Sequence, residues 1–373
     1  MIILYIAGIN DNKSAGPNTN IPKNIFYGAK YANFGIYNIY ETKNNEILNY
    51  KHYFKKELMK NYDISTLPSP FNKPDIVVFE EVYRVCYAKI AKKLTKSRIP
   101  YVITPRGSLT YHSQRRKHLK KMIGNILFFN KFVKNAASIH YLTEKEYETS
   151  NSFKINNHFV VGNGVELKSK TKIFNDASSN NEFNVTFIGR IAMYHKGLDY
   201  LIEAVNNRQN EFRNNHFKFN LYGPDDLDSK KILNTKIEHF NISDLVKINE
   251  PVFDEEKEKI LLKTDLFVHT SRLEGQPTAV IEAMSYGVPV LVTPGTNIDE
   301  LVKSKNLGFV AKFDIDDIAQ KLLLAHKEQN DFKQISSNEL KIIANNFDWN
   351  SVMLKTVNEY KNILKCGDDN NVK

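Results

Sequence analysis

Along most of the chain, apolar runs of strand length alternate with stretches of helical periodicity, the pattern of parallel sheets covered by helices. In the first half "MIILYIAGI", "FGIYNIYE", "DIVVFE", "YVITPRG", "SIHYLT" and "HFVVGNGV" predict strands, with helices between them. "KSKTKIFNDASSNNEF", residues 168–183, is polar, rich in Ser and Asn and without periodicity, so it reads as a linker. A second alternation follows: "FNVTFIGR", "FKFNLYGPD", "LVKINEPV", "DLFVHTSR", "PVLVTPG" and "GFVAKF", separated by helical stretches such as "GLDYLIEAV" and "PTAVIEAMSYG". The pattern predicts an α/β protein of two doubly wound parallel-sheet domains in tandem. They are residues 1–167 and 184–345, joined by the 168–183 linker. A helical tail, 346–373, is able to cross back to the first domain; Val352, Val357, Tyr360, Ile363 and Leu364 form its apolar face. In such sheets ligands sit at the carboxyl ends of the strands, so the expected site is a cleft between two facing domains.

Length and composition agree with this picture and narrow it. A chain of 373 residues is long for one core. No apolar run approaches the ~20 residues that a bilayer-spanning helix needs. The opening "MIILYIAGIN" has no basic leader and no cleavage site, so it reads as a strand and the expected location is the cytosol. Cys86 and Cys366 stand far apart, which argues against a disulfide framework or a zinc site. The net charge of +10 is uneven: residues 1–170 carry 27 Lys and Arg against 12 Asp and Glu, and residues 171–373 carry 25 against 30. The basic half suits an anionic partner, and an Asn- and Lys-rich compositional bias would give the same numbers.

Chemistry concentrates in "SRLEGQPTAVIEAMSYGVPVLVTPG", residues 271–295, which reads as strand end, loop, helix and strand. Pro277 fits the first helical position. Gly275, Gln276, Pro277 and Thr278 then form a helix mouth whose backbone N–H groups attract anions. Glu274 flanks that mouth and Glu282 lies about one turn inside. Ionised carboxylates only accept hydrogen bonds and so match sugar hydroxyls. Two such acids around an anion site fit an extended ligand with a charged middle, such as a sugar nucleotide. The alternative is a helix-start charge and a buried Glu paired to a lysine. "FIGRIAMYHKGLDYLIEAV" adds Arg190 and Lys196 at one strand end, a planar fork and a point charge suited to a diphosphate.

Together these pieces resemble the retaining nucleotide-sugar glycosyltransferases of the GT-B fold, in the large family 4. The likeness rests on "GR" followed by "KG", on "YGPD", and on E-G-x-P-x-x-x-x-E followed by A-x-x-x-G-x-P-V. In the first half "TPRGSLTYHSQRRKHLKK" is similar to the "PRG" loop of a polysaccharide-building branch, and "VGNGVE" to the "NGV" that closes the first domain. The resemblance implies two Rossmann-like domains facing across a cleft, the first binding acceptor and the second the donor. It places Arg190 and Lys196 on the donor diphosphate, Glu274 on the transferred hexose and Glu282 on the ribose. The amides of Gly275 to Thr278 fall near the phosphates. It further implies a hexose or N-acetylhexosamine moved from a UDP-linked donor, with retention and without metal or other cofactor. The acceptor would be a saccharide or lipid-linked saccharide for surface polysaccharide such as capsule.

The first domain departs from the family pattern. Where many relatives carry a histidine near the donor sugar, this chain offers Arg106, with His112 downstream, and the loop after the first strand has only Gly16. Asp226/Asp228 and Asp314/Asp316 precede helical stretches, where Asp caps, and are read as caps rather than a metal clamp. Residues 112–134 are basic and amphipathic, with Leu119, Met122, Ile123, Ile126, Leu127 and Val133 at helical spacing. That apolar face either packs on the first sheet or lies on an anionic membrane surface, and both can hold if only the basic rim meets lipid. Rival readings are a sugar-nucleotide epimerase or phosphorylase on the same fold, and a non-catalytic saccharide- or membrane-binding subunit. A nucleic-acid partner is not expected, because the basic half lacks aromatic-interleaved motifs.

Overall fold

The structure is a computed structural model that describes residues 1–12, 16–43, 45–115, 118–150, 157–174 and 182–369. The chain divides into two compact units, Met1–Gly164 with Trp349–Lys373, and Val165–Asp348. The cuts fall at Gly164/Val165 and Asp348/Trp349, where the sequence suggested 167 and 345. Seven of the sixteen residues of the expected 168–183 linker, 175–181, lie outside the described residues.

Unit 1 holds a seven-stranded parallel sheet: β1 (Ile2–Ala7), β2 (Asn33–Asn38), β3 (Tyr53–Phe54), β4 (Ile76–Glu80), β5 (Tyr101–Thr104), β6 (Ser138–Tyr141) and β7 (His158–Val160), in the order β3-β2-β1-β4-β5-β6-β7. Its strands read as continuous apolar runs because both faces are covered. Alternate residues of β1 show this directly: Leu4 and Ile6 enter one core cluster with Val77, Phe79 and Ile103, while Ile3, Tyr5 and Ala7 enter the other with Ile76, Val78 and Val102. The helix Trp349–Asp369 completes the second cluster. Trp349, Met353, Val357 and Tyr360 pack there against the sheet, and Trp349 stacks on Tyr27 at 5.8 Å. Gly164 permits this approach, since a Cβ there would lie 2.5 Å from the indole.

Unit 2 repeats the plan with six parallel strands: β8 (Phe183–Ile188), β9 (Phe217–Tyr222), β10 (Val246–Asn249), β11 (Leu266–His269), β12 (Val290–Val292) and β13 (Gly308–Val310), in the order β10-β9-β8-β11-β12-β13. Again odd and even positions part. Leu266 and Val268 face one cluster with Val185 and Phe187, and Phe267 faces the other with Val290 and Val292. In both sheets the chain reverses direction of growth beside the first strand, the switch point at which α/β sheets bind ligands.

One core group is out of keeping with its surroundings. Glu339, in the helix Phe332–Asn346, is fully buried, and among the described residues neither carboxyl oxygen has a hydrogen-bond partner. Burial raises its pKa well above the ordinary carboxylate value. The unfolded chain ionises this group near pH ~4.3 while the folded chain keeps the proton, so its penalty on stability grows as pH rises above that point. Glu339→Gln is expected to match wild type at about pH 4 and to exceed its urea midpoint at pH 7; equal midpoints at both pH values would contradict this.

Candidate functional site

The site in unit 2 is built where the loops after β8, β9 and β11 are tied together at the carboxyl ends of their strands. Gly189 N–H donates to the Tyr222 carbonyl, Ile191 N–H to Pro224 O, and Asp226 N–H to Ile191 O. Zipping these two loops brings Arg190 to 3.4 Å from Asp226, with its side chain still 47% exposed. The β8 loop is then fastened to the β11 loop. Thr270 Oγ1 donates to the carbonyls of Lys196 and Gly197, and Arg272 N–H donates to His195 O. Gly197 has φ +63°, and a Cβ there would lie 2.0 Å from Thr270 O, so only glycine fits. The Arg272 guanidinium forks onto Asp199 at 2.7 Å from each nitrogen and is flanked by the rings of Tyr194, Tyr200 and Phe313. These fastenings leave few ways for Lys196 to move relative to β11.

Lys196 Nζ sits 2.6 Å from Glu274 Oε1, and the same oxygen takes a hydrogen bond from Ser271 Oγ at 2.6 Å and one from His269 Nε2 at 3.2 Å. Burial alone would push the Glu274 carboxyl up; Lys196 and the His269 hydrogen bond outweigh it and hold the group well below the usual carboxylate range. Burial lowers the pKa of His269. A neutral ring donating through Nε2 leaves a bare Nδ1, which has no hydrogen-bond partner among the described residues. His195, close by, is also lowered, chiefly by burial. Asn297, in the left-handed region at φ +64°, donates its side-chain amide to the Glu274 and Gly275 carbonyls and fixes the loop that follows.

Several details differ from the sequence expectation. The helix is Thr278–Ser285, and Pro277 occupies the position before it rather than its first turn. Thr278 N–H is already spent on Gln276 O at 2.9 Å, because the Pro277 backbone (ψ 77°) curls the chain back on itself. Pro277 has no N–H to give, so the mouth offers fewer donors than the three amides of Gly275, Gln276 and Thr278. Glu282 lies in the helix, 21% exposed, and both its oxygens are engaged by Lys257 at 2.7 and 2.9 Å. Both acids are thus lysine-paired, where the alternative weighed above had one paired and the other a helix-start charge.

Asp314 caps its helix by accepting from Asp317 N–H, as expected. Asp226 and Asp228 do not cap: Asp228 is left-handed with no side-chain cap bond, Asp226 faces Arg190, and Asp225 takes the Lys230 N–H instead. Among the described residues no group of three His, Cys, Asp or Glu is placed to hold a metal ion.

In unit 1, Gly16 is exposed at the start of the helix Gly16–Gly28. Arg106 is not open to a ligand. Its guanidinium is 7% exposed, 2.6 Å from Glu80 and 3.2 Å from Asn163. Glu146, buried nearby, receives Gly107 N–H and Leu142 N–H, so the "PRG" loop is clamped from below. Arg106 therefore shapes that loop, and its backbone at φ +50° directs the chain around the turn. His112 falls in the helix Tyr111–Arg115, and its side chain lies outside the described residues.

Residues 169–341 match the family model for glycosyl transferases group 1. The match takes in most of unit 2 and a little under half of the chain. Protein CapJ of Staphylococcus aureus is 28% identical over 173 residues, 46% of this chain and 42% of CapJ. The putative colanic acid biosynthesis glycosyltransferase WcaL of Escherichia coli is 30% identical over 152 residues, 39% of this chain and 35% of WcaL. Each alignment thus spans less than half of the curated relative. HepE of Anabaena, solved in complex with UDP and glucose, superposes with a TM-score of 0.71 at 16% identity, covering 97% of this chain and all of HepE. At that identity the likeness is one of fold, and the fold is the GT-B class expected from the sequence. In unit 2 the loop ties place Arg190, Lys196 and Glu274 at one end of the sheet. His269, Ser271 and Lys257 join the two acids without having been singled out in the sequence. The first two carried a signal: positions 269 and 271 follow the strand's period of two and point the same way as each other, toward Glu274.

Proposed function

We propose that the chain is a retaining glycosyltransferase. It moves a hexose or N-acetylhexosamine from a UDP-linked donor to a saccharide or lipid-linked saccharide acceptor of a surface polysaccharide, at the inner face of the cell membrane. The observation that carries the reading is the Lys196–Glu274 pair with Ser271 and His269, held rigidly beside Arg190 at the carboxyl ends of β8 and β11. The name of WcaL and the UDP and glucose bound to HepE support the same substrate class.

In this reading Arg190 and Lys196 stabilise the charge that develops on the departing diphosphate, taking the part a metal ion plays in other transferases. Arg190 is open enough to reach it, and Lys196 divides its charge between Glu274 and the diphosphate. Glu274, kept ionised by its three donors, aligns the hexose hydroxyls. Glu282 retains lone pairs for the ribose hydroxyls beside Lys257. The amides around Gly275 and Gln276 and the positive end of the helix Thr278–Ser285 add to the anion site. No cofactor is required, the nucleotide sugar being a substrate.

The test is UDP release from a panel of UDP-sugars with lipid-linked saccharide acceptors, followed by assignment of the new linkage by NMR. Acceptor-dependent release with the donor's anomeric configuration preserved is expected. An inverted linkage would overturn retention, and no release with any donor would overturn the enzyme reading.

A further inference from the structure

Glu274 is held from one side only. Lys196 Nζ, Ser271 Oγ and His269 Nε2 all reach Oε1, at 2.6, 2.6 and 3.2 Å, and among the described residues no donor reaches Oε2. One oxygen is therefore saturated within the chain, and the other keeps its lone pairs for a donor from outside. A carboxylate has a soft, two-fold terminal torsion, so a single partner would leave the two oxygens free to exchange places. Three donors converging on Oε1 from the β8 loop and the end of β11 oppose that exchange.

Of the three donors His269 is the most firmly seated. A serine hydroxyl rotates, and a lysine rides on a flexible four-carbon stem. The His269 ring ends β11, is 2% exposed, and lies nearly parallel to Phe187 at 5.4 Å and to Phe267 at 6.3 Å. Because an ionised carboxylate only accepts, the proton belongs on Nε2, and Nδ1 is the buried atom without a hydrogen-bond partner among the described residues. The charged and titratable groups that act on the ring are Glu274, Lys196 and His195, so a second ring proton would set a new cation beside Lys196. The lysine also has another claim on it. On the transferase reading, on which this inference rests, Lys196 divides its charge with the donor diphosphate, so Glu274 loses part of its ion pair when the donor is in place. A neutral N–H on a fixed ring then holds the carboxylate without cancelling its charge.

We infer that His269 is a positioning residue of the transfer reaction: its Nε2–H keeps Oε1 of Glu274 turned into the protein and Oε2 toward a hydroxyl of the transferred hexose. It acts through Glu274 alone, so its weight falls on kcat, while donor affinity rests on the groups that hold the diphosphate and ribose.

The test is steady-state UDP release by the full chain, as wild type, His269→Leu and His269→Gln, with urea midpoints to follow folding. Leucine fills similar space without an N–H, and the glutamine amide can set an N–H where Nε2 stood. His269→Leu is expected to lower kcat about 10 to 100-fold, the range for a hydrogen bond to a charged group, with donor KM changed by less than about threefold. The acid limb of its kcat profile should move to higher pH, because a carboxylate that loses a donor is more easily protonated. His269→Gln should return kcat to within about fivefold of wild type. In a Glu274→Gln background, adding His269→Leu should cost less than about threefold more, as for residues that act as a unit. A Leu variant with wild-type kcat, a folded Gln variant no better than Leu, or an equal loss in both backgrounds would overturn the proposal. So would ¹⁵N NMR of the imidazole groups at pH 7 that places the His269 proton on Nδ1, a readout independent of turnover. Failure of the transferase reading looks different: wild type would release no UDP with any donor, whichever nitrogen carries the proton, and the reaction and the part of His269 in it would fall together.

Discussion

Lys196→Ala is expected to lower kcat/KM for the donor by about 10² to 10³-fold, the usual cost of removing one group that stabilises transition-state charge. The same change should destabilise unit 2, because Glu274 is left as a nearly buried carboxylate without its ion-pair partner. Lys196 and Glu274 are 14% and 11% exposed, and breaking such a pair from one side costs roughly 3–5 kcal/mol. A double variant separates the two effects. Adding Glu274→Gln removes the stranded charge while Ser271 and His269 can still donate to the side chain, so most of the stability should return in urea denaturation. Activity should not return, since the diphosphate has lost its lysine and the hexose its carboxylate. Activity that recovers together with stability would assign Lys196 a purely structural task.

The second large effect is on unit 1. Trp349→Ala is expected to cost about 3–5 kcal/mol, the range for deleting a buried aromatic side chain. Trp349 is 1% exposed, stacked on Tyr27 and pressed against Gly164, so no neighbour is free to collapse into the space it leaves. It also begins the helix whose Met353, Val357 and Tyr360 close one face of the sheet, with the Tyr360 hydroxyl 3.0 Å from that of Tyr5. The unfolding transition of unit 1, followed by Trp349-independent probes such as amide exchange in β1, should move while that of β8 stays in place. A loss below about 1 kcal/mol would mean that the helix contributes little to this core.

The fold was legible in the sequence wherever a strand is buried on both faces, for there the apolar run is continuous and its length distinguishes it from a helix. β3 was not legible: Tyr53 and Phe54 are two residues at the sheet edge between basic neighbours, too short for any period. The chemistry of Glu274 and Glu282 showed as two acids in an apolar run, but their partners did not. Lys196 lies 78 residues from Glu274 in sequence, and Lys257 projects from a separate helix, so only the sheet order brings them together. Arg106 was offered in place of the family's histidine because nothing local announces Glu80, 26 residues earlier, as its partner. For residues 118–128 the sequence left two outcomes open, packing on the sheet or exposure, and the π-helical turn Asn125–Phe129 decides between them by sending Phe129, Phe132 and Val133 inward.

The central claim is that the loops after β8 and β11, with the helix Thr278–Ser285, hold a nucleoside diphosphate. Titration calorimetry of UDP against wild type, Arg190→Ala and Glu282→Gln tests it most directly. Wild type should bind UDP, and each variant should bind about 10 to 100-fold more weakly, as expected for the loss of a charge-assisted hydrogen bond. Equal affinity in all three would place the nucleotide elsewhere and leave Glu282 as no more than the partner of Lys257.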